Sequence, residues 1–196
     1  MSVSSFRSDD LIHRQDSQLL IVDMQEKLLP AFPEKVRPQL ITNCQLLIEM
    51  AKLFEVPISA TEQYPQGLGR TIPELGLDDI EIPAKTDFSS WPALNWPAPY
   101  DEESTRPRII VAGIESHVCV MQTVLDLIAQ GYKVYIPVDA VASRFKLDWK
   151  IAIERLALSG AILTTTESVL FEWCERAGTP EFKQLSQRLK AKTKPE

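Results

Sequence analysis

With its strands taken in the order 3-2-1-4-5-6, the domain that the sequence predicts is a doubly wound, three-layer α/β/α one on a six-stranded, mostly parallel sheet. Three observations lead there. Residues 18–22 and 109–112 are short, continuous apolar runs of the kind that form buried strands. Elsewhere the apolar period lengthens to that of a helix, at Leu40, Ile41, Cys44, Leu47, Ile48 and Ala51, and again at Met121, Val124, Leu125 and Ile128. Strands alternating with helical segments, in 196 residues without a boundary or an internal repeat, argue one α/β domain.

In chain order, residues 1–16 are polar and expected to be loosely held. The first strand ends at Asp23. The helix over residues 40–51 follows, with Pro38 near its start, where proline is tolerated or introduces a break. Cys44 lies on its apolar stripe and reads as core. Residues 56–60 form the second strand, and residues 61–69, full of turn formers, a loop. Residues 72–77 make a short helical turn. Ile80 and Ile82 alternate with acidic residues and read as the third strand, closed by Pro83. Residues 92–107 carry four prolines and read as a structured surface loop between the two halves.

The fourth strand is residues 109–112, left at Gly113, with Ser116 as a candidate N-cap of the helix beyond. Residues 133–138 are the fifth strand and residues 139–144 its loop. Ile151, Leu156 and Leu158 mark a helix entered near Asp148. Residues 161–164 are the sixth strand, and Thr166 caps a helix running through Trp173; Cys174 reads as packing. Residues 180–196 form a basic helical tail, either a solvated face or an arm for self-association.

Bulk properties narrow the function. A net charge of −6 argues against binding nucleic acid by phosphate neutralisation. No apolar run approaches ~18 residues, so no membrane span is expected, and the first residues lack the apolar core of a secretory signal. Three cysteines are an odd, sparse set that fits a reducing cytoplasm better than a disulfide framework.

Parallel sheets bind ligands beyond the carboxyl ends of their strands, at the switch in strand order. Asp23, Lys85 and Cys119 each fall just after a strand: the first, the third and the fourth. Cys119 sits in the first turn of its helix, where the dipole lowers a thiol pKa and free N–H groups bind anions. Each residue has a bland alternative: a small buried cysteine, a cap after a strand, a solvated lysine. A histidine base is not at hand. His13 belongs to the N-terminal segment, and His117 lies roughly 200° around a helix from Cys119. Asp23 is left to take the thiol proton, with Lys85 holding the charges in place. A dinucleotide-binding domain is disfavoured, because no Gly-x-Gly-x-x-Gly follows the first strand.

These stretches resemble the isochorismatase-like cysteine hydrolase family. Asp23 in Leu-Ile-Val-Asp-Met-Gln, Lys85 in Pro-Ala-Lys-Thr-Asp-Phe-Ser and Cys119 in Val-Ala-Gly-Ile-Glu-Ser-His-Val-Cys-Val match its three motifs, over about residues 17–175. The resemblance implies a Cys119–Asp23–Lys85 triad that attacks a carbonyl carbon through a thioester. It also implies an oxyanion hole from the Glu115 and Cys119 N–H groups and a cis Ile114–Glu115 peptide. Gln63, Tyr64, Phe88 and Trp91 would flank a small-molecule pocket, although each has an equal claim as packing. The family's metal-dependent nicotinamidases carry Asp-x-His and a further His after strand two. Here Thr-Glu-Gln-Tyr-Pro-Gln-Gly stands instead, so no metal and no cofactor are expected, and nicotinamide is disfavoured as a substrate. This chain resembles the metal-free, small isochorismatase-domain subgroup, whose members usually form homo-oligomers. Retention of the cysteine favours cleavage of an amide or other C–N bond. Ether hydrolysis with Asp23 as acid and a non-catalytic redox or binding module are the alternatives.

Overall fold

Four consecutive side chains of the first strand, Leu19 to Val22, are fully enclosed, and their alternation sets the layers. In the computed structural model, which describes residues 7–97, 99 and 106–192, that strand is β1 (Ser17–Val22). Leu19 and Ile21 pack into one apolar cluster with α1 (Arg37–Leu53) and α6 (Thr166–Cys174). Leu20 and Val22 pack into a second with α4 (Cys119–Ala129) and α5 (Lys146–Leu158). Helices on both faces of the sheet make the three layers.

The remaining strands are β2 (Ile58–Gln63), β3 (Ala84–Lys85), β4 (Arg108–Ile114), β5 (Lys133–Pro137), β6 (Val141–Ala142) and β7 (Ile162–Thr164). Their order is β3-β2-β1-β4-β5-β7, with every pairing parallel and β6 beside the tip of β4. The predicted order holds, with β7 in the place of the expected sixth strand. Three short or terminal helices complete the chain: α2 (Pro65–Leu68), α3 (Trp91–Leu94) and α7 (Pro180–Lys192).

Several local expectations are corrected. Residues 80–83 are not a strand; Ile80 and Ile82 pack sideways on the first apolar cluster, and β3 starts after Pro83. Pro83 has no N–H to donate, and its carbonyl accepts from Glu62 N. β2 runs on through Thr61, Glu62 and Gln63, which the sequence marks as loop, because their buried polar groups find partners in the structure. Residues 141–142 pair with Gly113 and Ile114 instead of staying in a loop.

Residues 7–16 are not loose: Ile12 is wholly buried, its N–H donates to Glu172 Oε2 at 2.6 Å, and Arg7 pairs with Glu175. Residues 1–6 lie outside the described residues, as do 98, 100–105 and 193–196 of the predicted loop and tail. On α5 the buried face is Ala152, Ile153 and Leu156, while Ile151 and Leu158 point outward. The basic tail is only partly solvated: Leu185 of α7 is buried in the first cluster, and Arg188 pairs with Glu49 of α1. Among the described residues no helix is long and apolar enough to cross a membrane.

β1 and β4 meet most closely at Val22 and Gly113. Gly113 has φ +116°, and a Cβ there would stand 2.1 Å from the Val22 carbonyl oxygen. Gly113→Ala is therefore expected to lower the unfolding free energy by about 3 kcal/mol or more, read from the urea midpoint. An unchanged midpoint would contradict so close a backbone approach.

Candidate active site

The carboxyl ends of β1, β3 and β4 bring Asp23, Lys85 and Cys119 together. Asp23 leaves β1 with φ 50°, a conformation that aspartate tolerates better than most residues. Its side chain is completely buried and both its oxygens are bonded. Thr61 Oγ1 donates to Oδ1 at 2.8 Å, and Lys85 Nζ donates to Oδ2 at 2.8 Å. The Thr61 hydroxyl lies 2.9 Å from Ser90 Oγ, and Ser90 N donates to Thr123 Oγ1 at 2.8 Å. A chain of hydroxyls thus ties the carboxylate back to α4.

Lys85 is 6% exposed, and its ammonium also donates to Gln63 Oε1 at 2.6 Å and to the carbonyls of Asp87 and Phe88. Cys119 opens α4. Its thiol donates to Gln63 Oε1 at 3.9 Å and feels the charges of both Asp23 and Lys85. Removing one member of such a buried ion pair leaves the other charge uncompensated, at a cost of about 3–5 kcal/mol.

Electrostatics here differ from the helix-mouth expectation. Burial pushes the Cys119 thiol up, the Asp23 charge pushes it further, and Lys85 offsets this only in part, leaving it at about 12. A helix terminus is worth about 0.3–1 kcal/mol, less than one pKa unit, so burial and the neighbouring carboxylate win. Burial also raises Asp23 above its ordinary value, against the opposing pull of Lys85, Cys119 and Thr61. Burial thus favours the uncharged thiol, beside the ion pair of Asp23 and Lys85.

Ser116 is not the N-cap. Val118 precedes α4 without a side-chain cap, and Ser116 is buried with its N–H bonded to Ala142 O. The Ile114–Glu115 peptide is cis. Glu115 sends its carboxylate to Arg144, Oε2 accepting from N at 3.2 Å and from Nε at 3.0 Å. Among the described residues, neither the Glu115 N–H nor the Cys119 N–H has an acceptor within the chain. His117 turns away, with Nδ1 2.9 Å from Ser143 Oγ.

The four expected pocket residues separate. Gln63 joins the buried cluster. Tyr64 and Phe88 are about half exposed and flank Lys85, Tyr64 N donating to Lys85 O at 2.8 Å. Trp91 stacks edge-on against Tyr132, ring centroids 5.7 Å apart, at the second apolar cluster. Sequence reasoning missed Gln25, Thr61 and Ser90 as partners of the site. Thr61 was hidden in a presumed loop, and Gln25, two residues past Asp23, had no pattern to mark it. Among the described residues no three His, Cys, Asp or Glu side chains cluster closely enough to hold a metal ion.

A parallel, doubly wound sheet with a cysteine, a carboxylate and a lysine at its carboxyl edge defines the class, a three-layer α/β fold with a thiol in its crevice. The isochorismatase domain matches residues 17–168, and the chain belongs to that family. It is similar to mouse isochorismatase domain-containing protein 2A, 38% identical over 176 residues, covering 90% of this chain and 84% of the mouse protein. Among solved structures, one titled MAR1 ribonuclease from Caenorhabditis elegans superimposes with a TM-score of 0.82 at 34% identity, covering 95% of each chain. The Escherichia coli ycaC product, described as an octameric hydrolase of unknown specificity, shares the fold. Its TM-score is 0.75 at 21% identity, covering 96% of this chain and all of that one.

Asp23→Asn removes a charge that raises the thiol. The pH profile of Cys119 alkylation by iodoacetamide should then move to acid. Peptide mass spectrometry across a pH series reads this, and a profile unmoved or moved to alkali would contradict the assigned cause.

Proposed function

We propose that this chain is a cysteine hydrolase that cleaves a small amide or another C–N bond through a thioester. The observation that carries the reading is the buried Asp23–Lys85 pair with the Cys119 thiol beside it, Gln63 Oε1 touching both the ammonium and the sulfur. Asp23, made more basic by burial, takes the thiol proton as sulfur bonds to the carbonyl carbon. The carboxylate loses a charge as the carbonyl oxygen gains one, and Lys85 stays an ammonium throughout. The N–H groups of Glu115 and Cys119 donate to the oxyanion. Protonated Asp23 then returns the proton to the leaving amine. Water, deprotonated by Asp23, cleaves the thioester and restores the thiol.

A thiol held near 12 carries no standing thiolate at neutral pH, which speaks against a peroxide-sensing module, since such cysteines are low in pKa. The C. elegans neighbour is called a ribonuclease, but here Lys85 is paired with Asp23 and the chain carries a net charge of −6, which speaks against a polyanionic substrate. The substrate is a small molecule, because the three reacting groups are nearly enclosed.

The chain also self-associates in this reading. Leu147, Ile151 and Leu158 share one outward face of α5 beyond an exposed Phe145, an apolar stripe typical of an interface, and the E. coli ycaC product is described as octameric.

Cys119→Ser should abolish hydrolysis across a panel of small amides; a parent that cleaves no amide but cleaves a vinyl ether, with that activity surviving Cys119→Ser, would move the chemistry to Asp23 acting as an acid. Only ionised Asp23 is a base, so kcat/KM should fall as pH drops through its raised pKa, an acid limb above the ordinary aspartate value. Light scattering should find an oligomer that Leu147→Asp combined with Ile151→Asp reduces to smaller species; a monomeric parent would refute the interface.

A further inference from the structure

Each polar group of Gln63 is engaged, and each engagement fixes the next. Gln63 N donates to Gln25 Oε1 at 2.8 Å, and Gln63 O accepts from Gln25 Nε2 at 2.9 Å. One fully buried side-chain amide therefore clamps both main-chain groups, and it also donates to Gly69 O at 2.7 Å. The Gln63 amide is then oriented by its neighbours. Thr86 O only accepts, so Nε2 faces it at 2.8 Å; the Lys85 ammonium only donates, so Oε1 faces it at 2.6 Å. That same oxygen lies 3.9 Å from Cys119 Sγ.

Gln63 Oε1 is the nearest of the Lys85 acceptors, which also include Asp23 Oδ2 and the carbonyls of Asp87 and Phe88. Asp23 alone among them is charged. When the thiol proton moves to Asp23, the carboxylate is neutralised and sulfur becomes the anion beside the ammonium. A neutral amide oxygen leaves the ammonium charge to the sulfur. A carboxylate in its place would pair with Lys85 and set a second negative charge beside the thiol.

We propose that Gln63 is a positioning residue that holds the Lys85 ammonium within reach of Cys119 without neutralising it. It acts through Lys85, not by touching substrate as a pocket residue would. This rests on the hydrolase reading above, and the test separates the two.

The full chain is alkylated with iodoacetamide across a pH series, with modification of Cys119 followed by peptide mass spectrometry and folding checked by near-ultraviolet circular dichroism. Gln63→Glu, nearly isosteric, should slow labelling about tenfold at neutral pH by moving the profile about one unit to alkali. Gln63→Met removes the acceptor without adding charge and should move it the same way by less. A residue that only packs would alter the melting temperature and leave the profile in place. A profile unmoved, or moved to acid, in a folded Gln63 variant while Lys85→Met shifts it to alkali overturns the role of Gln63 and leaves the triad standing. A profile indifferent to Lys85→Met as well overturns both.

Discussion

The buried ion pair between Lys85 and Asp23 is the constraint on which the rest of the structure depends. Neither charge is tolerable alone at this depth, and their geometry recruits the neighbouring polar groups. Thr61 satisfies the second carboxylate oxygen, and Gln63 and two carbonyls satisfy the rest of the ammonium. The pair also bridges strands. β1 supplies the acid and β3 the base, with β2 between them, so the half of the sheet left of β4 is stitched at its carboxyl end by charge as well as by its ladder. β4 and α4 then need only deliver a sulfur to a site already built.

Burial comes first in explaining why the thiol is not acidic, and the carboxylate of the same pair adds to it. A cysteine at a helix start invites the inference of an activated thiolate, and the favourable dipole is present. It is outweighed by desolvation and then by the charge of Asp23, which opposes a second negative charge beside it. In the proposed chemistry, moving the proton from sulfur to Asp23 leaves the net charge of the couple unchanged, so that transfer is easier than loss of the proton to water.

Strong periodic signals were readable in the sequence, and compensated polar ones were not. The enclosed runs of β1 and β4 and the stripe of α1 announced themselves, because burial on both faces of a sheet or on one face of a helix leaves a pattern. The end of β2 did not: Thr61, Glu62 and Gln63 look like loop residues, and only their partners in space make a strand of them. Ile80 and Ile82 misled in the opposite way. Their alternation is real, but it records side-chain packing beside a proline that cannot join a ladder. Ile12 was invisible because its burial depends on α6, far along the chain, and a single apolar residue has no period. At the site, Asp23 and Cys119 could be grouped by their position after strands, and Lys85 joined them through a strand that residues 80–82 do not form, since it lies in β3 itself; Gln25 was hidden, because nothing local tells a clamping amide from a solvated one.

β1 lies between β2, which follows it closely in sequence, and β4, which belongs to the second half of the chain. As the polypeptide emerges from a ribosome, one side of that central strand can pair early while the other stays bare. The missing neighbour arrives together with the sulfur-bearing turn, because β4 and α4 are continuous apart from four residues. Closure of the sheet and arrival of the thiol are therefore one event in time. A nascent chain halted before β4 would carry the acid and the ammonium with no thiol, and would expose an apolar strand edge for the cell's folding helpers to cover.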